Sequence, residues 1–195
     1  MVFVFDLDDT VCDTDSYSEE FIVKFFAERG LPLKKINDIS RFADGKFDWT
    51  EEQALAWYKQ YGDKMMREFP VKKDAVKAIN ALYDSGHTIV IATARAGDWH
   101  TNPEENTLYW LKNNGVKYHK LYMGRVDKEE ICLSENADFF IDDDISLVQK
   151  VASHKGNEKM KVFLASTPYN KTVETPQGVI RVDSVYEMIK IVFGL

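Results

Sequence analysis

VFVFDLDDT, residues 2–10, is an apolar run that passes directly into three acids and a threonine. A run without polar alternation fits a strand buried on both faces of a parallel sheet. Five further runs read the same way: 88–92 (TIVIA), 120–123 (KLYM), 138–141 (DFFI), 161–165 (KVFLA) and 178–182 (GVIRV). Helical patterns lie between most of them. Residues 72–85 place Val76, Ile79 and Leu82 on one face and stop before Gly86, a good C′ residue. Residues 103–114 start with Asn102 as the expected N-cap, Pro103 at the first helical position and Glu105 at N3, and end at Gly115. Asp127-Lys128-Glu129-Glu130 reads as another capped start, and 145–154 and 184–193 complete the set. Strands alternating with helices predict an α/β fold with a parallel sheet.

One segment breaks the alternation. About 80 residues separate the first two strands, far more than a crossover helix needs. Within them, 16–29 is a helix built on Phe21, Ile22, Phe25 and Phe26. A second helix, 51–67, carries Leu55, Tyr58, Tyr61 and Met65 at apolar positions and opens on Thr50 and Gln53, a capping-box pair. Residues 15–69 therefore read as a small helical cap inserted after the first strand, and 1–14 with 70–195 as the core domain.

Composition narrows the function. The 195 residues carry 32 acids and 25 bases, a net charge of −7. That balance disfavours long nucleic acids and anionic membranes, which need basic surface. Two cysteines, Cys12 and Cys132, make no disulfide scaffold and point to a reducing, cytoplasmic setting. The N-terminal apolar run is too short for a signal peptide, and no stretch reaches the roughly 18 apolar residues of a membrane span.

In open parallel sheets, ligands bind at the carboxyl ends of strands. The first strand is followed by Asp6 and Asp8, the second by Thr93-Ala94-Arg95, the third by Lys128, and the fourth by Asp142-Asp143-Asp144. Asp144 reads best as a helix N-cap. Half-buried, Asp6, Asp8, Asp142 and Asp143 would repel one another strongly unless a cation sat among them. Hard oxygen ligands of this kind suit Mg²⁺ shared with a phosphate.

These residues resemble the haloacid dehalogenase superfamily of phosphatases. DLDDT at 6–10 matches the first motif, Thr93 the second, Lys128 the third and Asp142-Asp143 the fourth, in the right order. The resemblance implies a Rossmann-like three-layer α/β/α core. More locally, IATAR (91–95), EENTLYWLKNNGV (104–116), DKEEIC (127–132), FFIDDD (139–144) and TPYN (167–170) resemble the 5′(3′)-deoxyribonucleotidase branch. That branch often carries a serine after the second-motif threonine. Here Ala94 removes the hydroxyl and shifts phosphate binding toward backbone N–H groups and Arg95.

The resemblance implies Asp6 as nucleophile, forming an aspartyl-phosphate, and Asp8 as general acid and then base. It implies Mg²⁺ held by Asp6, the backbone carbonyl of Asp8, and Asp142 or Asp143. Thr93 and Lys128 would hold the phosphate oxygens, with Arg125 a competitor for the lysine's role. The expected substrate is a small phosphomonoester, a nucleoside monophosphate by resemblance. Sugar phosphates and polynucleotide 3′-phosphates are the alternatives, and a phospho-receiver-like switch is the non-enzymatic one. Cap aromatics (Phe42, Phe47, Trp49, Trp57, Tyr58) are mostly expected in the core, with one or two free to stack on a base. Trp99 and His100 are candidates for the pocket wall, Trp110 is expected against the sheet, and Cys12 is expected near the site without a chemical role.

Overall fold

A computed structural model describes residues 1–41, 45–97, 100–154, 156 and 159–195. Among these, six strands form one parallel sheet: β1 (Val2–Phe5), β2 (Thr88–Thr93), β3 (Lys120–Met123), β4 (Phe139–Asp142), β5 (Lys161–Ala165) and β6 (Val179–Val182). Their order is β3-β2-β1-β4-β5-β6. The helices are α1 (Asp15–Glu28), α2 (Glu51–Glu68), α3 (Ala75–Asp84), α4 (Pro103–Asn113), α5 (Lys128–Ser134), α6 (Ile145–Ser153) and α7 (Val185–Phe193). None is long and apolar enough to cross a membrane.

Side chains alternate across each strand, so each contributes to two cores. Phe3, Phe5, Ile89, Ile91, Ile141 and Phe163 pack on one face with α1 to α4 and α7. Val4, Val90, Ala92, Phe140, Val162 and Leu164 pack on the other with α5 and α6. This is a three-layer α/β/α arrangement of Rossmann type: the apolar runs predicted the parallel sheet, and the family resemblance implied the three layers.

Residues 15–69 hold α1 and α2 and, among the described residues, add no strand to the sheet. Their entry and exit run side by side: Asp13 N–H donates to Pro70 O at 2.8 Å, and Lys72 N–H to Val11 O at 2.9 Å. α2 opens on the expected capping box, with Gln53 N–H donating to Thr50 Oγ1 at 3.2 Å and the Gln53 side chain accepting from Thr50 N–H at 2.8 Å. Lys46 pairs with Asp15 inside this segment, both buried, and ties the 31–50 stretch to α1.

Two expectations need correction. Asn102 makes no side-chain cap on α4. Its amide instead reaches Asp63 of α2, which also accepts from the backbone N–H groups of Thr101 and Asn102. The loop's polar groups are thus turned toward a neighbouring helix. Leu55 is exposed rather than packed, because the buried face of α2 runs through Trp57, Tyr61, Met65 and Met66.

These placements predict unequal costs for truncation. Phe5→Ala, at a fully buried position, should destabilise by about 3–5 kcal/mol in urea denaturation. Leu55→Ala should stay within about 0.5 kcal/mol.

Candidate active site

The site lies where the sheet's connectivity reverses. β1 and β4 are neighbours, yet β2 and β3 extend from one side of the pair and β5 and β6 from the other. A crevice opens beyond the carboxyl ends of such strands. The register pairs Phe5 with Ile141, which brings Asp6 beside Asp142. Asp6 N–H donates to Ile141 O at 3.1 Å and extends the ladder by one bond.

Lys128 answers that crowding. It is the first residue of α5, and Asp127 caps the helix by accepting from Glu129 N–H. Its Nζ lies 2.6 Å from Asp6 Oδ1 and 2.7 Å from Asp142 Oδ2. The side chain is buried despite its place in the first turn of a helix. Burial opposes the ammonium charge, but the two carboxylates outweigh it and hold the lysine's pKa well above its usual range. Arg125 lines the same pocket, while the contacts to Asp6 and Asp142 are made by Lys128.

One cation does not balance the site. One oxygen from each of Asp6, Asp142 and Asp143 lies within 4.8 Å of the others. Asp6 Oδ2 is buried with no hydrogen-bond partner among the described residues. Burial drives the Asp6 pKa well up; Lys128 opposes this, and Asp142, Asp143 and Asp8 add to it by repulsion. Burial, with repulsion from Asp142, likewise raises Asp143 to about 7. An orphaned carboxylate oxygen beside two more buried acids is a donor set that fits a hard divalent cation.

Asp8 faces a different partner. Arg95 grips it from β2's end, with Nε 2.9 Å from Oδ2 and Nη2 2.8 Å from Oδ1. Thr14 Oγ1 donates to Oδ1 at 2.7 Å. Burial would raise this carboxyl, but the Arg95 charge and the hydrogen bonds from Arg95 and Thr14 prevail and hold it at about 2. Thr93 is buried with Oγ1 3.5 Å from Asp8 Oδ2, and Ala94 lines the acidic pocket. Cys12 is packed behind Arg95, 3.4 Å from its Nη2. Burial and then Asp8 push that thiol's pKa well up.

Asp144 is the N-cap of α6, accepting from Ser146 and Leu147 N–H groups as expected. Other functional neighbours escaped the motif reading. Arg41, from the stretch between α1 and α2, pairs with Asp143 and stacks 4.7 Å over the Tyr169 ring. Tyr169 Oη lies within hydrogen-bonding distance of both Asp143 and Asp9. Asn170 Nδ2 donates to Asp143 O at 2.9 Å and Ala165 O at 2.8 Å, which fixes the turn after β4. TPYN was the available signal for Tyr169 and Asn170, whereas Arg41 had none. The Asp9 carboxylate accepts from Thr14 and Asp15 N–H groups at 2.9 Å each and so caps the start of α1.

Two cavities meet at Asp8. The acidic one, of ≈650 Å³, is lined by Asp6, Asp8, Lys128, Asp142, Asp143 and Arg41 among others. The second, of ≈350 Å³, runs between α1, α2 and the loop after β2, with Trp57, Tyr58 and His100 in its wall. Phe47 and Trp49 pack in the aromatic core of the inserted segment, and Trp110 is fully buried with Nε1 donating to Phe69 O. Phe42 and Trp99 lie outside the described residues.

A family model described as 5′ nucleotidase, deoxy (pyrimidine), cytosolic type C protein (NT5C) matches residues 1–193. No protein of curated function matches the sequence. Solved structures share the fold at low identity. CbbY from Rhodobacter sphaeroides, in complex with phosphate, aligns with TM-score 0.61 at 15% identity, over 96% of this chain and 95% of that one. A haloacid dehalogenase-like family hydrolase from Streptococcus pneumoniae gives 0.63 at 13%, over 98% and 97%. D,D-heptose 1,7-bisphosphate phosphatase from B. bronchiseptica, complexed with magnesium and phosphate, gives 0.57 at 13%, over 99% and 98%.

The unbalanced acids generate a direct test. Mg²⁺ at about a hundred times its Kd should stabilise the fold by about 2.7 kcal/mol, seen as a rise in Tm reversed by chelation. Asp142→Asn should abolish most of that rise. A wild-type Tm indifferent to divalent cations would refute the cation site.

Proposed function

The chain belongs to the 5′ nucleotidase, deoxy (pyrimidine), cytosolic type C family and is a phosphoric monoester hydrolase of the haloacid dehalogenase type; on that premise we propose a Mg²⁺-dependent, cytoplasmic enzyme that hydrolyses nucleoside monophosphates through an aspartyl-phosphate. The single observation behind the mechanism is Asp6: Oδ1 is held by Lys128, while Oδ2 is buried at the crevice without a partner. The lysine contact fixes the orientation of the carboxylate at the pocket it lines, the placement an attacking group needs. In this reading residues 15–69 are the cap that covers the leaving group, and 1–14 with 70–195 the catalytic core.

Asp6, Asp142 and Asp143 would hold the metal through their carboxylates, with the backbone carbonyl of Asp8. Bound there, Mg²⁺ supplies positive charge that eases the approach of one anion to another. Asp6 attacks phosphorus, and the bond to the ester oxygen breaks. Asp8 gives that oxygen a proton, without which a sugar alkoxide leaves poorly. Asp8, now a carboxylate, takes a proton from water as the water attacks phosphorus. Orthophosphate leaves and Asp6 is restored. Thr93, Lys128 and the backbone at Ala94 hold the non-bridging oxygens, and Lys128 also tempers repulsion between Asp6 and the phosphate.

Arg95 works on Asp8 in this scheme. Its grip aims the carboxylate and keeps it ionised in the resting site, the form required by the second half-reaction. A phosphate dianion arriving beside Asp8 raises its affinity for a proton and prepares the first half-reaction. A phospho-receiver switch would have no use for this second acid, and membership of a phosphatase family argues against it.

Asp6→Asn should abolish turnover while the fold persists by circular dichroism; retained turnover would discard the nucleophile assignment. Asp8→Asn should lose about 10²–10⁴-fold on nucleoside monophosphates and much less on p-nitrophenyl phosphate, whose leaving group needs no proton. A phosphate-release screen over nucleoside monophosphates, sugar phosphates and 3′-phosphorylated oligonucleotides tests the substrate class. A flat profile would remove the nucleotide reading and leave the phosphatase standing.

A further inference from the structure

The second cavity contains two polar groups that the hydrolytic scheme does not use. Its walls are mainly apolar: Trp57, Met65 and Met66 of α2, with Phe69 beyond them. Ser18 of α1 also lines it, fully buried, and its Oγ has no hydrogen-bond partner among the described residues. His100, after β2, lines it as well, and its Nδ1 is likewise buried without a partner. Buried polar atoms are nearly always satisfied. Two orphans in one cavity, contiguous with the acid that would protonate the leaving group, mark a place where a ligand completes the bonding.

The seating of His100 adds an independent observation. Its ring meets Tyr58 edge-on, with centroids 5.6 Å apart and planes at 89°. Its Nδ1 sits 3.1 Å from where a Cβ on Gly62 would lie. Gly62 is in the middle of an 18-residue helix, where glycine is unfavourable relative to alanine. The helix forgoes a side chain at the position the imidazole approaches. A local helix preference given up to admit one side chain is expected where function sets the geometry. Without a Cβ at Gly62, the unpartnered Nδ1 edge is left uncovered by any side chain at that position of α2. Burial lowers the imidazole's pKa, so it offers neutral hydrogen-bonding chemistry to match a neutral ligand edge.

We propose that Ser18 and His100 are specificity-determining residues that hydrogen-bond the in-plane polar edge of a nucleobase held in this cavity. The inference rests on the nucleotide reading above and deepens it. A serine hydroxyl donates and accepts, and a neutral imidazole does one at each nitrogen. Together they match a planar heteroaromatic ring with adjacent donors and acceptors, its faces against aromatic and thioether side chains. A phosphorylated sugar without a base would leave both groups unsatisfied.

The discriminating measurement is the ratio of kcat/KM for 2′-deoxynucleoside 5′-monophosphates to that for 2-deoxyribose 5-phosphate, which shares the sugar phosphate and lacks the base. The wild type should show a large ratio for at least one base. His100→Phe, which keeps a ring beside Tyr58, and Ser18→Ala should each lower that ratio about tenfold, the scale of one net hydrogen bond. The loss should come chiefly through KM on the nucleotide. Gly62→Ala, which keeps His100 in the sequence but crowds its Nδ1, should lower the same ratio. A large wild-type ratio that all three variants preserve would overturn the inference and leave the nucleotide reading intact. A wild-type ratio near or below one would overturn both.

Discussion

Everything at the carboxyl edge of the sheet follows from Lys128 lying between Asp6 and Asp142. A parallel register brings the two acids side by side at the end of neighbouring buried strands, and the backbone cannot relieve their repulsion. A buried ammonium 2.6 Å from one and 2.7 Å from the other offsets part of it. Replacing such a charge with nothing would leave two uncompensated carboxylates, a situation folded proteins tolerate poorly. The remaining imbalance falls on Asp6 Oδ2 and Asp143. Stability and chemistry thus make the same demand at this edge: more positive charge than the chain itself supplies.

The cations that are present divide the acids between two tasks. Lys128 serves the pair at the sheet edge, Arg95 serves Asp8, and Arg41 reaches Asp143 from the inserted segment. Asp8 is consequently the wall shared by a charged pocket and a largely apolar one. A phosphate ester has the same division within it, with a dianionic end and an organic end joined at the oxygen that must be protonated. The net charge of −7 coexists with anionic substrates because charge is sorted locally over distances shorter than the roughly 8 Å screening length of physiological salt.

Much of this was legible in the sequence. Runs such as VFVF and FFID carry both their secondary structure and their burial in composition alone. The position of the acids follows from the rule that ligands sit at carboxyl ends, whereas the strand order came from the structure. Local chemistry was legible too, as with the Thr50–Gln53 box and the Asp144 cap. What escaped were contacts across long separations made by single loop residues. Arg41 meets Asp143 over 102 positions and Tyr169 meets Asp9 over 160. Neither pair has a period or a spacing to betray it. Asn102 failed as a cap for a related reason: a neighbouring helix offered Asp63, and tertiary partners override local preference. Leu55 shows the converse, an apolar residue on a helix whose buried face was already filled.

The paired entry and exit of the 15–69 segment have an evolutionary consequence. Two chain ends held together by backbone hydrogen bonds, Asp13 to Pro70 and Lys72 to Val11, define a fixed socket. What is plugged into that socket can change in length or content with little effect on the sheet, because lengthening a closed loop costs only slowly growing entropy. The acids at the sheet edge lie outside the socket, while Ser18, Arg41 and the α2 wall lie inside it. Under the proposed reaction, the groups facing the leaving group could be revised by exchanging one contiguous stretch of sequence, with only the Arg41 contact to Asp143 reaching from that stretch into the acidic cluster.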